Sequence, residues 1–173
     1  GAWGMALAYA TACRGGCHLK AWTIGDEVVA PKYDRFSVGG KAKLVVDLQN
    51  LRAVEDSFGV CVMGRKAIGE KELVRILAVT TGWNVSVDGL LTAGERIYNL
   101  ERVIAVRDGV SRKDDILPQR IVEGASPNLR SRIGGENFDG MLDEYYSLRG
   151  WDENGKPTCE KLEELGLPDL LSV

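Results

Sequence analysis

The chain has 173 residues, enough for one domain of ordinary size or for two small ones. Hydrophobic residues make up 45% and charged residues 27%, a balance that is typical of a globular protein and excludes a disordered chain. The net charge is -3 and the basic residues are scattered, which argues against nucleic acid or an anionic membrane as a partner.

No apolar run approaches the roughly 20 residues that span a bilayer, and no signal peptide is visible. The chain begins at Gly1, without a methionine or a helix cap before the apolar run at residues 5–9, and we interpret it as a piece of a longer protein. Its four cysteines are too few for a disulfide scaffold, so we expect reduced thiols in a cytoplasmic protein.

The predicted elements, in chain order, are mostly helical. The best strand pattern, at residues 27–30, is short and borders Pro31. A first helix is predicted by a set of apolar residues at helical spacing, namely Leu44, Leu48, Leu51 and Phe58. A second helix is predicted within residues 69–80 by the apolar residues Leu73, Ile76 and Leu77.

The clearest helix runs from Leu90 to Ile104, with Ser86 or Asp88 as its N-cap and Gly109 just past its end. The 3-4-3-4 spacing of its apolar residues predicts a buried stripe made of Leu90, Ala93, Ile97, Leu100 and Ile104. The other side is expected to be solvated and to carry most of the charged residues, Glu95, Arg96, Glu101, Arg102 and Arg107.

A polar stretch without clear periodicity follows, from residue 108 to residue 135, and includes Pro118 and Pro127. Loops of this length are uncommon unless they are functional or dock on another domain. A helical face then resumes with Phe138, Met141, Leu142 and Tyr145. Thr158 can start a last short helix that stops near Gly166. We therefore predict a mostly α fold with a packed helical core and one long wrapping loop.

Residues 56–61, Asp-Ser-Phe-Gly-Val-Cys, place a carboxylate, a glycine and a thiol close together. Thiolates are the usual protein ligands of iron–sulfur clusters, and Gly59 permits a turn that brings Asp56 near Cys61. The carboxylate could there accept hydrogen bonds from the NH groups of a heterocycle. The alternative is that Cys61 is a small buried hydrophobic residue at a helix end and Asp56 a surface acid.

Residues 13–20 hold the single histidine of the chain, His18, next to a glycine pair. Imidazole exchanges protons near neutral pH, so His18 is a candidate for proton transfer, although a lone histidine is more often structural. Cys13, Cys17 and His18 could also contribute to a zinc site, but no second ligand pair follows, as structural zinc usually requires. Lys20 could offer a positive charge to a phosphate, or be an ordinary exposed lysine.

Several segments, taken in order, resemble the C-terminal region of the tungsten-dependent aldehyde ferredoxin oxidoreductases. The resemblance covers nearly the whole chain, and agreement of many segments in order is more specific than any one motif. The matching segments are residues 5–11 with 14–18, 41–43 leading to 56–61, 94–102, 111–115 with 117–118, and 141–146 with 149–151.

The resemblance implies an enzyme that oxidises an aldehyde to a carboxylic acid and passes two electrons to ferredoxin. The family uses tungsten held by two pterin dithiolenes, beside one 4Fe-4S cluster; tungsten and molybdenum cannot be told apart from this sequence. The fold implied is the helical C-terminal domain or domains of such an enzyme, with long irregular loops. Residues 1–65 would face the cofactors, and residues 66–173 would form the helical core and the wrapping loop.

The family pattern D-x-x-G-L-C falls on residues 56–61, with Val60 in place of the leucine. By this resemblance Cys61 is the fourth ligand of the cluster, and Asp56 and the Val60 backbone contact one pterin. The resemblance also implies that His18 assists proton transfer near the metal and that Lys20 contacts a pterin.

Two features of the family are not found in this sequence, namely the C-x-x-C-x-x-x-C run that supplies the other cluster ligands and the N-terminal β domain that binds pterin. We therefore expect the chain alone to be inactive and to need the missing domain. The identity of the aldehyde and a homo-oligomeric state stay open. The alternatives are a non-catalytic helical interaction module, or a small zinc-binding domain that uses Cys13, Cys17 and His18.

Overall fold

A computed structural model describes residues 1–64, 67–123 and 131–170. Within these ranges the chain is helical, and its β structure is limited to two isolated bridges, Cys13 with Gly15 and Trp151 with Pro157. The mostly α prediction is confirmed. None of the helices in these ranges has the length and the apolar character needed to cross a membrane. The elements are α1 (Trp3–Ala10), a π-helix (Gly25–Val29), α2 (Lys41–Ser57), α3 (Glu70–Thr81), α4 (Val87–Arg107), a 3-10 helix (Arg112–Asp114), α5 (Gln119–Val122), α6 (Gly135–Arg149), α7 (Cys159–Glu164) and a 3-10 helix (Pro168–Leu170).

Helix α2 lies at the centre of the fold and packs against α1, α4 and α6. The main core joins buried residues of α1, α2 and α6 with Tyr98 of α4. A smaller cluster of Val54, Leu73 and Leu90 joins α2, α3 and α4. Both ends of α2 are therefore held by packing, which fixes the position of the chain segment that follows it.

The predicted helices are present, and local signals set their ends as expected. The Ser86 hydroxyl accepts a hydrogen bond from the Gly89 N–H at 3.0 Å, which caps α4. The Thr158 hydroxyl caps α7 in the same way, accepting from the Lys161 N–H at 3.2 Å. The predicted apolar residues of α6 are all buried: Phe138, Met141, Leu142 and Tyr145.

The predicted buried stripe of α4 is confirmed at Leu90 and in part at Ala93 and Ile97, which are half-buried, and is wrong at its C-terminal end. Leu100 and Ile104 are 37% and 43% exposed. The buried residues of α4 are instead Leu90, Gly94, Tyr98, Asn99, Arg102 and Val103. The reason is a close backbone contact, because a Cβ atom at Gly94 would overlap the Asn50 carbonyl oxygen of α2 and lie 2.8 Å from its carbonyl carbon. Glycine lets the two helices approach here, and this approach turns the Gly94 side of α4 inward.

The predicted strand at residues 27–30 is also wrong, because this segment forms the π-helix Gly25–Val29. The Ala30 N–H donates to the Gly25 carbonyl at 2.9 Å. The backbone wraps around the buried carboxylate of Glu27, which accepts from the Gly4 N–H at 3.0 Å and from the Thr23 hydroxyl at 2.5 Å. A buried carboxylate needs such partners, and the strand pattern did not account for them.

The Glu27 carboxylate also forms an ion pair with Lys41 at 2.7 Å, and neither side chain is exposed to solvent. Replacing Lys41 by methionine would leave a carboxylate without its counter-charge in the interior. We expect Lys41→Met to lower the free energy of unfolding by about 3–5 kcal/mol. Urea unfolding of the chain, followed by circular dichroism, measures this change.

The matched control is Lys43→Met in the same helix. Lys43 pairs with Asp47 at 2.5 Å, but both side chains are more than half exposed. Exposed ion pairs contribute little to stability, so the control should lower the free energy of unfolding by less than about 1 kcal/mol. Equal losses of unfolding free energy in the two variants would show that burial of the Glu27–Lys41 pair does not increase its contribution to stability.

The predicted wrapping loop docks on the chain's own core. Leu117 and Ile133 are buried in the main core, and short helices form at Arg112–Asp114 and Gln119–Val122. Two predicted features lie outside the described residues, namely the part of the loop around Pro127 and the boundary between residues 65 and 66. The loop therefore forms part of the wall of the fold.

Candidate cofactor and substrate site

The turn after α2 is built by a Schellman motif. The Gly59 N–H donates to the Asp56 carbonyl at 3.1 Å, and the Val60 N–H donates to the Glu55 carbonyl at 3.1 Å. Gly59 has a φ of 69°, the left-handed conformation that this helix ending requires. The half-buried Val60 side chain packs against the small cluster of α2, α3 and α4. Cys61 thus leaves the helix in a defined direction.

Asp56 and Cys61 both lie on the surface. The Cys61 thiol is free and exposed, and the Asp56 carboxylate is exposed as well. The alternative in which Cys61 is a small buried hydrophobic residue is therefore wrong. The Val60 N–H is already occupied by Glu55, which leaves the Val60 carbonyl as its backbone group for an external partner.

Residues 12–20 follow α1 and are tied to α4 through Lys20. The Arg14 Nε donates to the Cys17 sulfur at 3.3 Å. The Lys20 ammonium is buried and donates to both carboxylate oxygens of Glu101, at 2.7 and 3.0 Å. The His18 imidazole lies between these two anchors and is exposed. His18 therefore lies on the surface, two residues before the pair that ties this segment to α4.

Charge connects this segment with the turn after α2. The pKa of Arg14 is raised above its ordinary value, chiefly by its hydrogen bond to the Cys17 sulfur. The negative charges of Asp56 and Glu101 raise this pKa further, and together these effects outweigh the lowering by partial burial. The Asp56 carboxylate is therefore a minor contributor to the raised pKa of Arg14, after the contact with Cys17.

The cysteines near His18 have different environments. Burial raises the pKa of the Cys13 thiol. At Cys17 burial also acts to raise the pKa, but hydrogen bonds from Arg14 and from the Leu19 and Lys20 backbone outweigh it and lower the pKa. No cluster of three or more His, Cys, Asp or Glu side chains able to hold a metal ion occurs among residues 1–64, 67–123 and 131–170. The proposed zinc site is therefore not formed in this part of the chain.

A cavity of about 540 Å³ lies between the end of α1, the C-terminal part of α4 and the segment after the 3-10 helix at Arg112–Asp114. Its walls are largely apolar and include Ala10, Ala12, Cys13, Ala105, Leu117 and Ile121. This volume is within the range of small-molecule sites in proteins. Sequence reasoning did not find the cavity, because its walls come from small residues that are far apart in the chain.

Comparison with known proteins gives the family. A family model described as aldehyde ferredoxin oxidoreductase, domains 2 and 3, matches residues 1–167. The chain belongs to the aldehyde ferredoxin oxidoreductase family. The recognition made from the sequence segments is confirmed.

The tungsten-containing aldehyde ferredoxin oxidoreductases of Pyrococcus horikoshii and Pyrococcus furiosus are each 38% identical to the chain. The matches cover 99% and 98% of the chain and 29% of each relative. This member of the aldehyde ferredoxin oxidoreductase family thus spans less than a third of the length of these relatives.

One solved structure has a similar fold, the active-site complex BamBC of benzoyl coenzyme A reductase with 1,5-dienoyl-CoA. The TM-score is 0.66 and the sequence identity 24%, over 81% of this chain and 21% of that chain. At this identity the likeness shows a shared fold. A helical arrangement like that of this chain therefore also occurs in a benzoyl coenzyme A reductase complex.

Proposed function

We propose that this chain is the helical C-terminal part of an aldehyde:ferredoxin oxidoreductase, which oxidises an aldehyde to a carboxylic acid and reduces ferredoxin. The observation that carries the proposal is the family match over residues 1–167, and the turn after α2 supports it because it leaves Asp56 and the free Cys61 exposed. The term assembled enzyme means this chain together with the rest of a full-length family member, including the pterin-binding β domain. That remainder is either another part of the same polypeptide or a separate subunit. The chain alone is inactive.

The proposed roles divide the chain into two parts. Residues 1–65 carry His18, Lys20 and the turn after α2, and they face the cofactors. Residues 66–173 form the helical core and the wrapping loop. The proposed cofactors are a tungsten or molybdenum bis-pterin and a 4Fe-4S cluster, both bound in the assembled enzyme. The four free thiols suit a reducing compartment such as the cytoplasm.

Cys61 fits the role of the fourth cluster ligand. Its sulfur is free and exposed, so it is accessible to iron. A 4Fe-4S cluster takes four thiolates, and no group of three candidate ligands gathers anywhere in the described ranges. The other three ligands therefore come from the rest of the assembled enzyme.

Asp56, Val60 and Lys20 are proposed to hold one pterin. The exposed Asp56 carboxylate can accept hydrogen bonds from ring NH groups, and the Val60 carbonyl can accept another, since the Val60 N–H is bound to Glu55. Lys20 uses two of its N–H donors on Glu101, which leaves a third for the cofactor. These groups orient the pterin relative to Cys61.

The tungsten–pterin, when bound, activates oxygen transfer to the aldehyde carbon and takes up the electrons. The chain's own residues then have two tasks. His18 accepts the proton released during oxidation, and its position is set by Lys20 and by the contact of Cys17 with Arg14. The largely apolar cavity beside residues 12–16 holds the hydrocarbon part of the aldehyde, while water supplies the oxygen atom of the acid product.

Metal analysis of the assembled enzyme, prepared without oxygen, tests the proposal. We expect tungsten or molybdenum, about four iron atoms per chain, and aldehyde-dependent reduction of ferredoxin. A protein that binds neither metal would show that the non-catalytic interaction module is the correct interpretation.

His18→Ala tests the proton-transfer role. We expect turnover of the assembled enzyme to fall by about 10²–10⁴-fold, because a positioned acid–base group contributes this much, while tungsten and iron contents stay unchanged. Stopped-flow reduction of ferredoxin and metal analysis of the same samples measure both quantities. The control is Leu19→Ala, an exposed neighbour in the same segment. Loss of tungsten in His18→Ala alone would show that the histidine is structural.

A further inference from the structure

Arg102 of α4 connects three separate segments of the fold. Its guanidinium forms a bidentate ion pair with Asp115, with N–O distances of 2.9 and 2.7 Å. Its Nε donates to the Gly155 carbonyl at 2.7 Å. The Tyr146 hydroxyl of α6 donates to the same Asp115 carboxylate at 2.5 Å. The wrapping loop is thus tied through one carboxylate to α4 and α6, and α4 is tied to the turn at Gly155.

This network is buried and geometrically specific. Arg102 is 2% exposed and Asp115 4% exposed, and bidentate pairs fix orientation as well as distance. Gly155 has a φ of 78°, and a Cβ atom there would overlap the Arg102 guanidinium. The pKa of Arg102 is raised because the hydrogen bond and charge of Asp115 outweigh burial, which acts to lower it. The arginine therefore keeps its charge in the interior.

The network also forms part of the cavity wall. Arg102 and Asp115 both line the cavity, and the residues that follow Asp115, namely Ile116, Leu117 and Pro118, continue the same wall. The segment just after α1 contributes to the cavity from another side, through Ala12, Cys13, Gly15 and Gly16. The width of the cavity hence depends on where Asp115 holds the loop.

We propose that Arg102, Asp115 and Tyr146 are positioning residues that hold this wall and so select aldehydes by the size of their side chain. The inference rests on the proposed function, in which the cavity receives the hydrocarbon part of the substrate. The three residues act by fixing residues 115–118, and none of them needs to contact the reacting atoms. Loosening the wall removes apolar contacts that only a long aldehyde side chain reaches. This weakens the binding of long aldehydes, so it raises their KM more than it changes kcat.

The first test compares two variants of the assembled enzyme with a control. Asp115→Asn keeps the shape of the side chain but removes its charge, and Tyr146→Phe removes one hydrogen bond. The control, Asp143→Asn, breaks the 2.6 Å pair with Arg112, a partly exposed contact to the same loop. Kinetics are measured with a series of unbranched aldehydes of increasing length, and tungsten content is measured in each sample.

We expect Asp115→Asn to raise KM for the longest aldehyde about tenfold, with kcat for the shortest within about twofold of the parent and tungsten retained. Tyr146→Phe should show a smaller rise and Asp143→Asn none. An equal change of KM at every chain length, or a uniform fall in kcat with loss of tungsten, would overturn the proposal.

The second test does not depend on activity. Cys13 lines the cavity, so its alkylation rate reports access to that space, and mass spectrometry of the Cys13 peptide measures it. We expect a rate about tenfold higher in Asp115→Asn, an intermediate rate in Tyr146→Phe and no change in Asp143→Asn. Unchanged rates in the first two variants would overturn the proposal. A parent enzyme that oxidises no aldehyde would instead remove the proposed function, and the alkylation rates would still show whether the network holds the wall.

Discussion

Replacing Cys61 by serine in the assembled enzyme is expected to remove or disrupt the iron–sulfur cluster. The Cys61 sulfur leaves the Schellman turn exposed and free, and no other described side chains gather around it as substitute ligands. Serine offers a harder, less acidic donor than a thiolate. We expect iron content to fall, the visible absorption of the cluster to be lost, and ferredoxin reduction to drop at least about 100-fold.

Cys159→Ser is the matched control for this change. Cys159 is also an exposed, free cysteine, but it starts α7, away from the turn after α2. Its variant should keep the iron content, the absorption and the activity of the parent. Retention of a complete cluster in Cys61→Ser would remove Cys61 from the ligand set, and with it the main argument for the proposed site.

Gly94→Ala is expected to be the most damaging small substitution in the helical core. A methyl group there would overlap the Asn50 carbonyl oxygen and lie 3.0 Å from a Val54 methyl group. Helices α2 and α4 would have to separate, which disturbs packing along their whole contact. We expect a loss of about 3 kcal/mol in the free energy of unfolding, measured by urea denaturation.

Gly140→Ala in α6 is the opposite case. It lies inside a helix, and a Cβ atom there would meet no other atom within 4 Å. Alanine should therefore stabilise the chain by about 0.5–1 kcal/mol, because it restricts the unfolded chain and suits a helix. Similar effects of the two substitutions would show that α2 and α4 adjust to each other more easily than their packing indicates.

The sequence predicts the helices because their signals are local. Ser86 and Thr158 act on amides three residues away, and apolar spacing within each segment indicates a helix. Prediction from the sequence fails for the buried face of α4. That face is determined by the close approach of Gly94 to α2, at a residue more than 40 positions earlier in the chain. The failure at residues 27–30 has the same origin, since Glu27 is drawn inward by Lys41 and Gly4.

The candidate site was predictable to the extent that its residues carry distinctive chemistry. His18 and Cys61 could be singled out as the lone histidine and as a thiol after a glycine turn. The network around Arg102 could not, because arginine on a helix is expected at the surface and its partners Asp115 and Gly155 come from other segments. Cavities pose the same difficulty, since small apolar residues give no signal of the empty space beside them.

The position of Cys61 immediately after the end of α2 has a consequence for how the chain can vary. Each residue of an α-helix turns the chain by about 100°, so inserting or deleting a single residue near the end of α2 would swing the thiol to another side of the helix. The packed core could absorb such a change by shifting its apolar contacts, whereas the fixed directions in which a 4Fe-4S cluster accepts its four thiolates would not allow it. Tolerance to substitution and tolerance to changes in length are therefore separate properties of this helix, and the second is the stricter one.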